Sequence, residues 1–333
     1  MREFSRKKIV CAIFLVIVLI HGLTTGCIKV SPMQTTTSSA TTYAKTNTLN
    51  GSKTAMIATT GSLSEASMTS SETTLASKTS TDESSCLPES TLKAEFELRL
   101  TIICDNYDYD PYLKTEWGFS CLIEGPERVV LFDAGADYVT LLGNMRELEL
   151  DPSMIDAVVL SHNHNDHIGG LYGLLEDNHD VIVYLPASFS GNLKDKVKSF
   201  GAEVEEISEA KELFSGIYST GEMGNEISEQ SLIMTTSQGL VIITGCAHPG
   251  IVNIVRKAQD MLTNKPVYLA LGGFHMAWDT VPENERIIKT LRQLGVLKVA
   301  PCHCSGDETR KLFENEYGEN YINSGAGKII VIP

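Results

Sequence analysis

Basic residues are scarce in this chain. It carries 27 Lys and Arg against 42 Asp and Glu, a formal net charge of −15. Gripping a phosphate backbone needs a basic footprint, so a nucleic-acid partner is disfavoured. Long apolar runs are scarce as well. One stands out, Ile9 to Ile20, behind the basic start Met1-Arg2-Glu3-Phe4-Ser5-Arg6-Lys7-Lys8. At about a dozen residues it is short for a membrane span and reads as the apolar region of an export signal. A regular cysteine framework is also missing. The eight cysteines are scattered; export permits disulfides, but no pairing can be read from such spacing. Large apolar side chains are few from Ser31 to about Ser90, where Ser and Thr make up about half the residues. Such a segment cannot offset its ordering entropy by burial and is expected to stay disordered.

These absences suggest three parts: an export signal over 1–27, a Ser/Thr-rich stalk over 28–92 and a folded head over 93–333. Leu23-Thr24-Thr25-Gly26-Cys27 resembles a lipobox, with Cys27 lipidated after cleavage. An uncleaved signal anchor is the alternative. Both tether the head to a membrane on its outer side, so the expected location is extracytoplasmic, at the cell surface. The stalk carries the N-glycosylation pattern Asn50-Gly51-Ser52. Fully extended it would reach on the order of 200 Å.

The head is long enough, at about 240 residues, for one large core. Strands are expected over Phe96–Ile103, Ser120–Ile123, Val129–Phe132, Ala157–Ser161, Val181–Leu185, Ser231–Thr236, Leu240–Thr244, Val267–Leu271, Lys298–Ala300 and Lys328–Ile332. Helices are expected over Tyr138–Leu150, Ile168–Leu175, Leu193–Phe200, from Pro249 to about Met261, and over Glu283–Leu294 and Asp307–Glu316. Two runs of strands with flanking helices and no second core fit an α/β sandwich of two packed sheets covered by helices. Asp105–Glu116, rich in Tyr and Asp, and Phe189–Gly224 read as specificity loops.

The chemistry concentrates in Ser161-His162-Asn163-His164-Asn165-Asp166-His167-Ile168-Gly169-Gly170, directly after the apolar Ala157-Val158-Val159-Leu160. Imidazole and carboxylate are the ligand set of zinc, iron and manganese sites. The H-x-H-x-D-H order suggests that His162 and His164 serve one ion while Asp166 and His167 turn to a second. Most other histidines follow apolar runs too: His248 in Gly245-Cys246-Ala247-His248-Pro249-Gly250, His275 after Gly272-Gly273-Phe274, and His303 in Pro301-Cys302-His303-Cys304. Cys302 and Cys304 read as packing residues, since alternating C-H-C cannot easily aim three side chains at one ion.

Together with Leu131-Phe132-Asp133-Ala134-Gly135, these motifs resemble those of the metallo-β-lactamase superfamily, from about Phe96 to Pro333. Glu116-Trp117-Gly118-Phe119-Ser120, G-C-A-H-P-G, G-G-F-H and P-C-H-C narrow the resemblance. They point to the subfamily typified by the archaeal 7,8-dihydropterin-6-methyl-4-(β-D-ribofuranosyl)-aminobenzene-5'-phosphate synthase, many of whose members are known only as metal-dependent hydrolases. The resemblance implies an αββα sandwich of mixed sheets. It implies two divalent ions, zinc first with manganese or iron suiting the same ligands. His162, His164 and His248 would hold one, and Asp166, His167 and His303 the other. Asp133 would support a histidine from behind. Many members carry an aspartate that bridges the ions, near the end of the strand before that of His303. Here the region reads Ala270-Leu271-Gly272-Gly273-Phe274-His275, without a carboxylate, and His275 is expected to be a ligand or to touch substrate. Asp166, Asp133 and His275 are thus the residues expected to take part in catalysis.

The implied reaction is hydrolysis of a small-molecule ester, lactone or phosphoester by water activated between two ions. A transferase of the pterin synthase type, displacing diphosphate, would use the same cage. Its diphosphate intermediates are intracellular, so the exported position ranks hydrolysis first. A non-catalytic ligand-binding lipoprotein is a third reading, and the full histidine set speaks against it.

Overall fold

A computed structural model describes residues 97–263 and 265–333. The expected export signal and stalk lie outside the described residues, as do the first residues of the expected head. In chain order the head runs β1 (Leu98–Cys104), β2 (Ser120–Glu124), β3 (Val129–Phe132), α1 (Tyr138–Glu147), β4 (Ala157–Val159), α2 (Asn165–Ile168), α3 (Leu171–Asp177), β5 (Ile182–Pro186), α4 (Gly191–Ser199) and β6 (Glu203–Ile207). It continues through β7 (Lys211–Phe214), β8 (Ile217–Ser219), β9 (Leu232–Thr236), β10 (Gly239–Thr244), α5 (Ile251–Met261), β11 (Val267–Gly273), α6 (Val281–Gln293), β12 (Lys298–Cys302), α7 (Asp307–Tyr317) and β13 (Ile329–Ile332). Among the described residues no helix is long and apolar enough to cross a membrane.

Period-two alternation decides the layers. In β3, Val130 and Phe132 enter the core between two sheets while Leu131 faces the helices. In β10, Val241 and Ile243 enter the same core while Leu240 and Ile242 face helices on the far side. Strands apolar on both faces must be covered on both, here by the other sheet on one side and by helices on the other. The first sheet has the order β13-β1-β2-β3-β4-β5-β6 and the second β12-β11-β10-β9-β8-β7. Helices α1, α3 and α4 cover the first sheet, and α5, α6 and α7 the second. This is the expected αββα sandwich.

Parallel pairing places the site. β3 through β6 run parallel in the first sheet, as do β10, β11 and β12 in the second. The carboxyl ends of parallel strands share one edge, so the loops bearing Asp133, His162–His167, Cys246–His248, His275 and His303 emerge close together.

The structure corrects several expected elements. Much of Phe189–Gly224 is regular: it contains α4, β6, β7 and β8. β6 (Glu-Val-Glu-Glu-Ile) and β7 (Lys-Glu-Leu-Phe) are sheet edges, where charge guards the unpaired side and hides the alternation. The expected helix over Ile168–Leu175 is two helices, the first opening inside the histidine motif. A Cβ at Gly169 would lie 1.9 Å from Ala136 O and one at Gly170 2.2 Å from Ala134 O, so backbone closes on backbone there and the helical path breaks. Pro249 precedes its helix rather than opening it. The turn is made at Gly250 with φ 87°, a conformation that glycine adopts freely.

Phe132 is fully buried between the sheets, edge-on to Phe119 at 6.4 Å. Phe132→Ala is expected to cost about 3–5 kcal/mol in denaturant unfolding. Glu116 accepts from Ala136 N at 2.9 Å. Burial and the neighbouring Asp137 carboxylate push its pKa from 4.5 up to about 7. The folded chain therefore holds a proton that the unfolded chain has lost between pH 4.5 and about 7, and this group makes stability fall as pH rises across that window. Glu116→Gln should flatten that part of the unfolding-versus-pH curve.

Candidate metal centre

Three contacts set the histidine tautomers. Asp133, wholly buried at the end of β3, accepts from Ser161 N at 2.7 Å and from Ser161 Oγ at 2.7 Å. Its Oδ2 also lies 2.7 Å from His167 Nδ1. Ser161 Oγ, already donating to Asp133, lies 2.9 Å from His162 Nδ1. On the second sheet, Asn106 Oδ1 faces His303 Nδ1 at 3.1 Å. In each case the oxygen accepts Nδ1–H, which leaves the Nε2 lone pair free to point into the site.

Those lone pairs converge. His162 Nε2 is 3.0 Å from His164 Nδ1. The His162 and His248 ring centroids are 4.7 Å apart, and those of His164 and His248 are 5.0 Å apart. On the other side, Asp166 Oδ2 lies 3.7 Å from His167 Nε2 and 3.3 Å from His303 Nε2. The structure thus brings the expected residues into two adjoining groups, His162 with His164 and His248, and Asp166 with His167 and His303. The His275 ring stands 4.4 Å from that of His248, and its nitrogens group with the sulfurs of Cys246 and Cys304. The Nε2 atoms of His248 and His303 and the Nδ1 of His275 are buried without a hydrogen-bond partner. Orphaned lone pairs are costly inside a protein unless something takes them up.

Electrostatics favours a cation at this point. Burial, and then the neighbouring His167 and His248, hold His162 far below the usual histidine range. Burial and His275 lower His248 to about 4. Both are neutral imidazoles at neutral pH, the form that binds metal. Burial works against ionisation of Asp166, but the adjoining His303 and His167 rings outweigh it and bring its pKa to about 2. A divalent ion fits this set of free imidazole lone pairs beside an ionised carboxylate.

Several contributors had no clear signal in the sequence. Glu229, 1% exposed, accepts from Thr244 Oγ1 and from the backbone N–H groups of Gly245, Cys246, Ala247 and His248, at 2.7–3.1 Å. It clamps the loop that carries His248. In the sequence it is one acidic residue among many, and only the fold shows what it faces. Cys246 lies at the centre of the site, with its Sγ 3.2 Å from His167 Nε2. Cys302 packs in the inter-sheet core as expected, but Cys304 does more, its Sγ lying 3.3 Å from that of Cys246. Asp133, Ala247, His275 and His303 have φ between 47° and 58°; strain of about 1–3 kcal/mol each is typical of functional loops.

Trp117 and Trp278, the only two tryptophans, stand at the mouth, 49% and 66% exposed. Their rings are 6.1 Å apart; Trp117 lies 5.0 Å from His303 and Trp278 5.1 Å from His275. Of the tyrosines in the expected Asp105–Glu116 loop, Tyr107 lies under Arg310 and Tyr109 under Lys328, so only Tyr112 is free, at 84% exposed. A cavity of about 680 Å³ lined by His164, Asn225, Glu226, Ile227, His248 and His275 opens onto the histidines.

Glu229→Ala would strand the N–H groups of Gly245, Cys246 and His248, while Ala247 N keeps Thr244 Oγ1 at 3.1 Å. It is expected to lower stability by at least about 3 kcal/mol and metal affinity by about 10–100-fold, with Glu229→Gln falling between. Denaturant unfolding and isothermal metal titration of the same samples read both.

The sequence profile of the metallo-β-lactamase superfamily matches residues 118–255. The 7,8-dihydropterin-6-methyl-4-(β-D-ribofuranosyl)-aminobenzene-5'-phosphate synthase of Methanocaldococcus jannaschii is 31% identical over 277 residues, 67% of this chain and 93% of that protein. Among solved structures, Tm1679, a metal-dependent hydrolase of the β-lactamase superfamily, aligns with a TM-score of 0.60 at 28% identity, over 70% of this chain and 98% of that one. The metallo-β-lactamase fold protein YhfI from Bacillus subtilis shares the fold, with a TM-score of 0.53 at 15% identity over 71% of this chain and 99% of its own. Two stacked mixed sheets, a histidine cluster at their shared edge and this degree of identity lead to one assignment: the chain belongs to the metallo-β-lactamase superfamily.

Proposed function

We propose that the head is a metal-dependent hydrolase acting on a small molecule of the ester, lactone or phosphoester class. The observation that carries this reading is the convergence of imidazole nitrogens, those of His248 and His303 buried and unpartnered, beside the Asp166 carboxylate at one sheet edge. In this reading His162, His164 and His248 hold one divalent ion, zinc for preference, and Asp166, His167 and His303 hold a second. When bound, such ions supply Lewis acidity and water of lowered pKa.

The chain's own groups do the rest. Asp133, Ser161 and Asn106 fix three imidazoles, so no reorganisation is needed as charge develops. Asp166, held at about pKa 2, is a ligand first and a poor proton carrier at neutral pH. This lessens the proton-transfer role expected of it from sequence. His275, between His248 and Trp278, is placed to meet substrate. The exposed tryptophan pair at the mouth suits a substrate with a flat ring, since such rings gain about 0.5–1.5 kcal/mol from aromatic pairing beyond their burial. The export-like start, though outside the described residues, supports a substrate met outside the cytoplasm.

A second reading, a transferase of the pterin synthase type, is supported by the 31% identity to the Methanocaldococcus jannaschii synthase. Metal analysis of the purified chain beside His164→Ala, each assayed on phosphodiester, lactone and thioester panels, separates the readings. Bound metal with turnover that drops at least about 100-fold in the variant is the expected result. Bound metal without hydrolysis would shift the weight to the transferase, and a chain without metal would overturn both.

A further inference from the structure

Asp105, Asp133 and Glu229 are fully buried carboxylates around the site. Asp105 Oδ1 accepts from Tyr107 N and from His303 N, and the other two are not free to join two ions. Asp133 is taken up by Ser161 and His167, and Glu229 by Thr244 and four backbone N–H groups. Asp166 faces only the His167–His303 side. The end of β11, where a bridging carboxylate was sought in the sequence, offers none.

Cys246 occupies the place between the two groups. Its Sγ and the nitrogens of His162 and His248 all lie within 4.8 Å of one another, and the same holds for its Sγ with the nitrogens of His167 and His303. It is the one atom common to both sets. His167 Nε2 lies 3.2 Å away, with the opposite ring nitrogen facing Asp133. His303 Nε2 is buried with no hydrogen-bond partner. A single S–H can donate to only one of these lone pairs, whereas cations on either side of a thiolate engage all of them.

The loop is built to hold the sulfur there. Glu229 Oε1 accepts from Cys246 N at 3.0 Å, fixing the backbone. At Gly245 any Cβ would lie 2.2 Å from Ser161 Oγ and 2.8 Å from Asp133 Oδ2. Only glycine lets β10 press close enough to deliver the next residue into the histidines.

We propose that the Cys246 thiolate bridges the two metal ions of this centre, in the position that a carboxylate would otherwise fill, and that it biases the centre toward thiophilic ions such as zinc, iron or cobalt over magnesium and manganese. This rests on the metal-centre reading above. Cys304, 3.3 Å from Cys246, groups with Cys246 and a His275 nitrogen and belongs to neither of the two sets above.

The test loads the full-length chain with cobalt(II) and reads thiolate-to-cobalt charge transfer in the near-ultraviolet, with metal content measured on the same samples. The wild type is expected to bind about two ions and show the band. Cys246→Ser should lose the band and weaken the second ion about 10–100-fold. Cys246→Asp should lose the band yet recover about two ions, since a carboxylate can take the bridging place and its folding is reported by that recovery. Cys304→Ser should keep the band. Two ions bound without the band, or a band that survives in Cys246→Ser, overturns the bridge while leaving the hydrolase reading intact. A band lost only in Cys304→Ser, or a wild-type chain whose free thiol count shows these two cysteines already joined, also overturns it. A wild-type chain that binds no cobalt or zinc overturns both.

Discussion

The carboxylate of Asp133 accepts from Ser161 N, Ser161 Oγ and His167 Nδ1 with no exposure to solvent. That one group ties the end of β3 to the loop after β4 and sets the orientation of two histidines, His167 directly and His162 through Ser161. Burying a carboxylate is expensive unless every lone pair is used. Here the donors are backbone and side chain of the same short loop, so the histidine-bearing segment can take few other shapes. Asp133 itself sits at φ 58°, a strain that its contacts have to outweigh. Glu229 repeats the arrangement on the second sheet, where one carboxylate gathers the amides of residues 245–248. Each half of the site is therefore organised by an acid that need not touch a metal.

The two halves meet at a seam between the sheets. Gln230 N donates to Ser161 O and Gln230 Nε2 to Leu160 O, binding the strand entering β9 to the strand leaving β4. Gly245 lies against Ser161 and Asp133 with no room for a side chain. Sheet packing and site geometry are thus one problem. A shift of either sheet would separate the lone pairs that make the centre, which is why substitutions in the inter-sheet core should be felt in metal affinity as well as stability.

The sequence made much of this legible. Alternation gave most strands of both sheets, because residues such as Val241 and Ile242 face different cores and must both be apolar. The histidine motifs were visible because metal ligands have few substitutes. What stayed hidden depends on contacts made across the chain. β6 and β7 look like loop since their exposed faces carry charge. Glu229 meets residues fifteen to nineteen positions further on, and nothing local marks it. Cys246 appeared to flank a ligand, and only the juxtaposition of β10 with the histidine loop places its sulfur among five imidazoles. Tyr107 and Tyr109 fall in the expected Asp105–Glu116 specificity loop, yet Arg310 and Lys328 already occupy their rings.

Charge balance links these pieces. Histidines are neutral ligands, so two divalent ions held by imidazoles alone would leave four positive charges in a partly buried site, at heavy desolvation cost. Asp166 can offset one charge by direct contact, and Asp133 and Glu229 can offset one each from behind. Burial by itself pushes the Glu229 pKa upward, and nearby cations are what would draw it back toward the ionised form that its five donors require. Asp105, buried against the His303 backbone, adds another from behind. A negative charge placed between the ions would act where the field of both is strongest. The Cys246 sulfur is the group the fold puts there. A thiol is neutral in an apolar core but ionises readily against a bound metal, so it can be buried during folding without a net charge and supply one when the ions arrive.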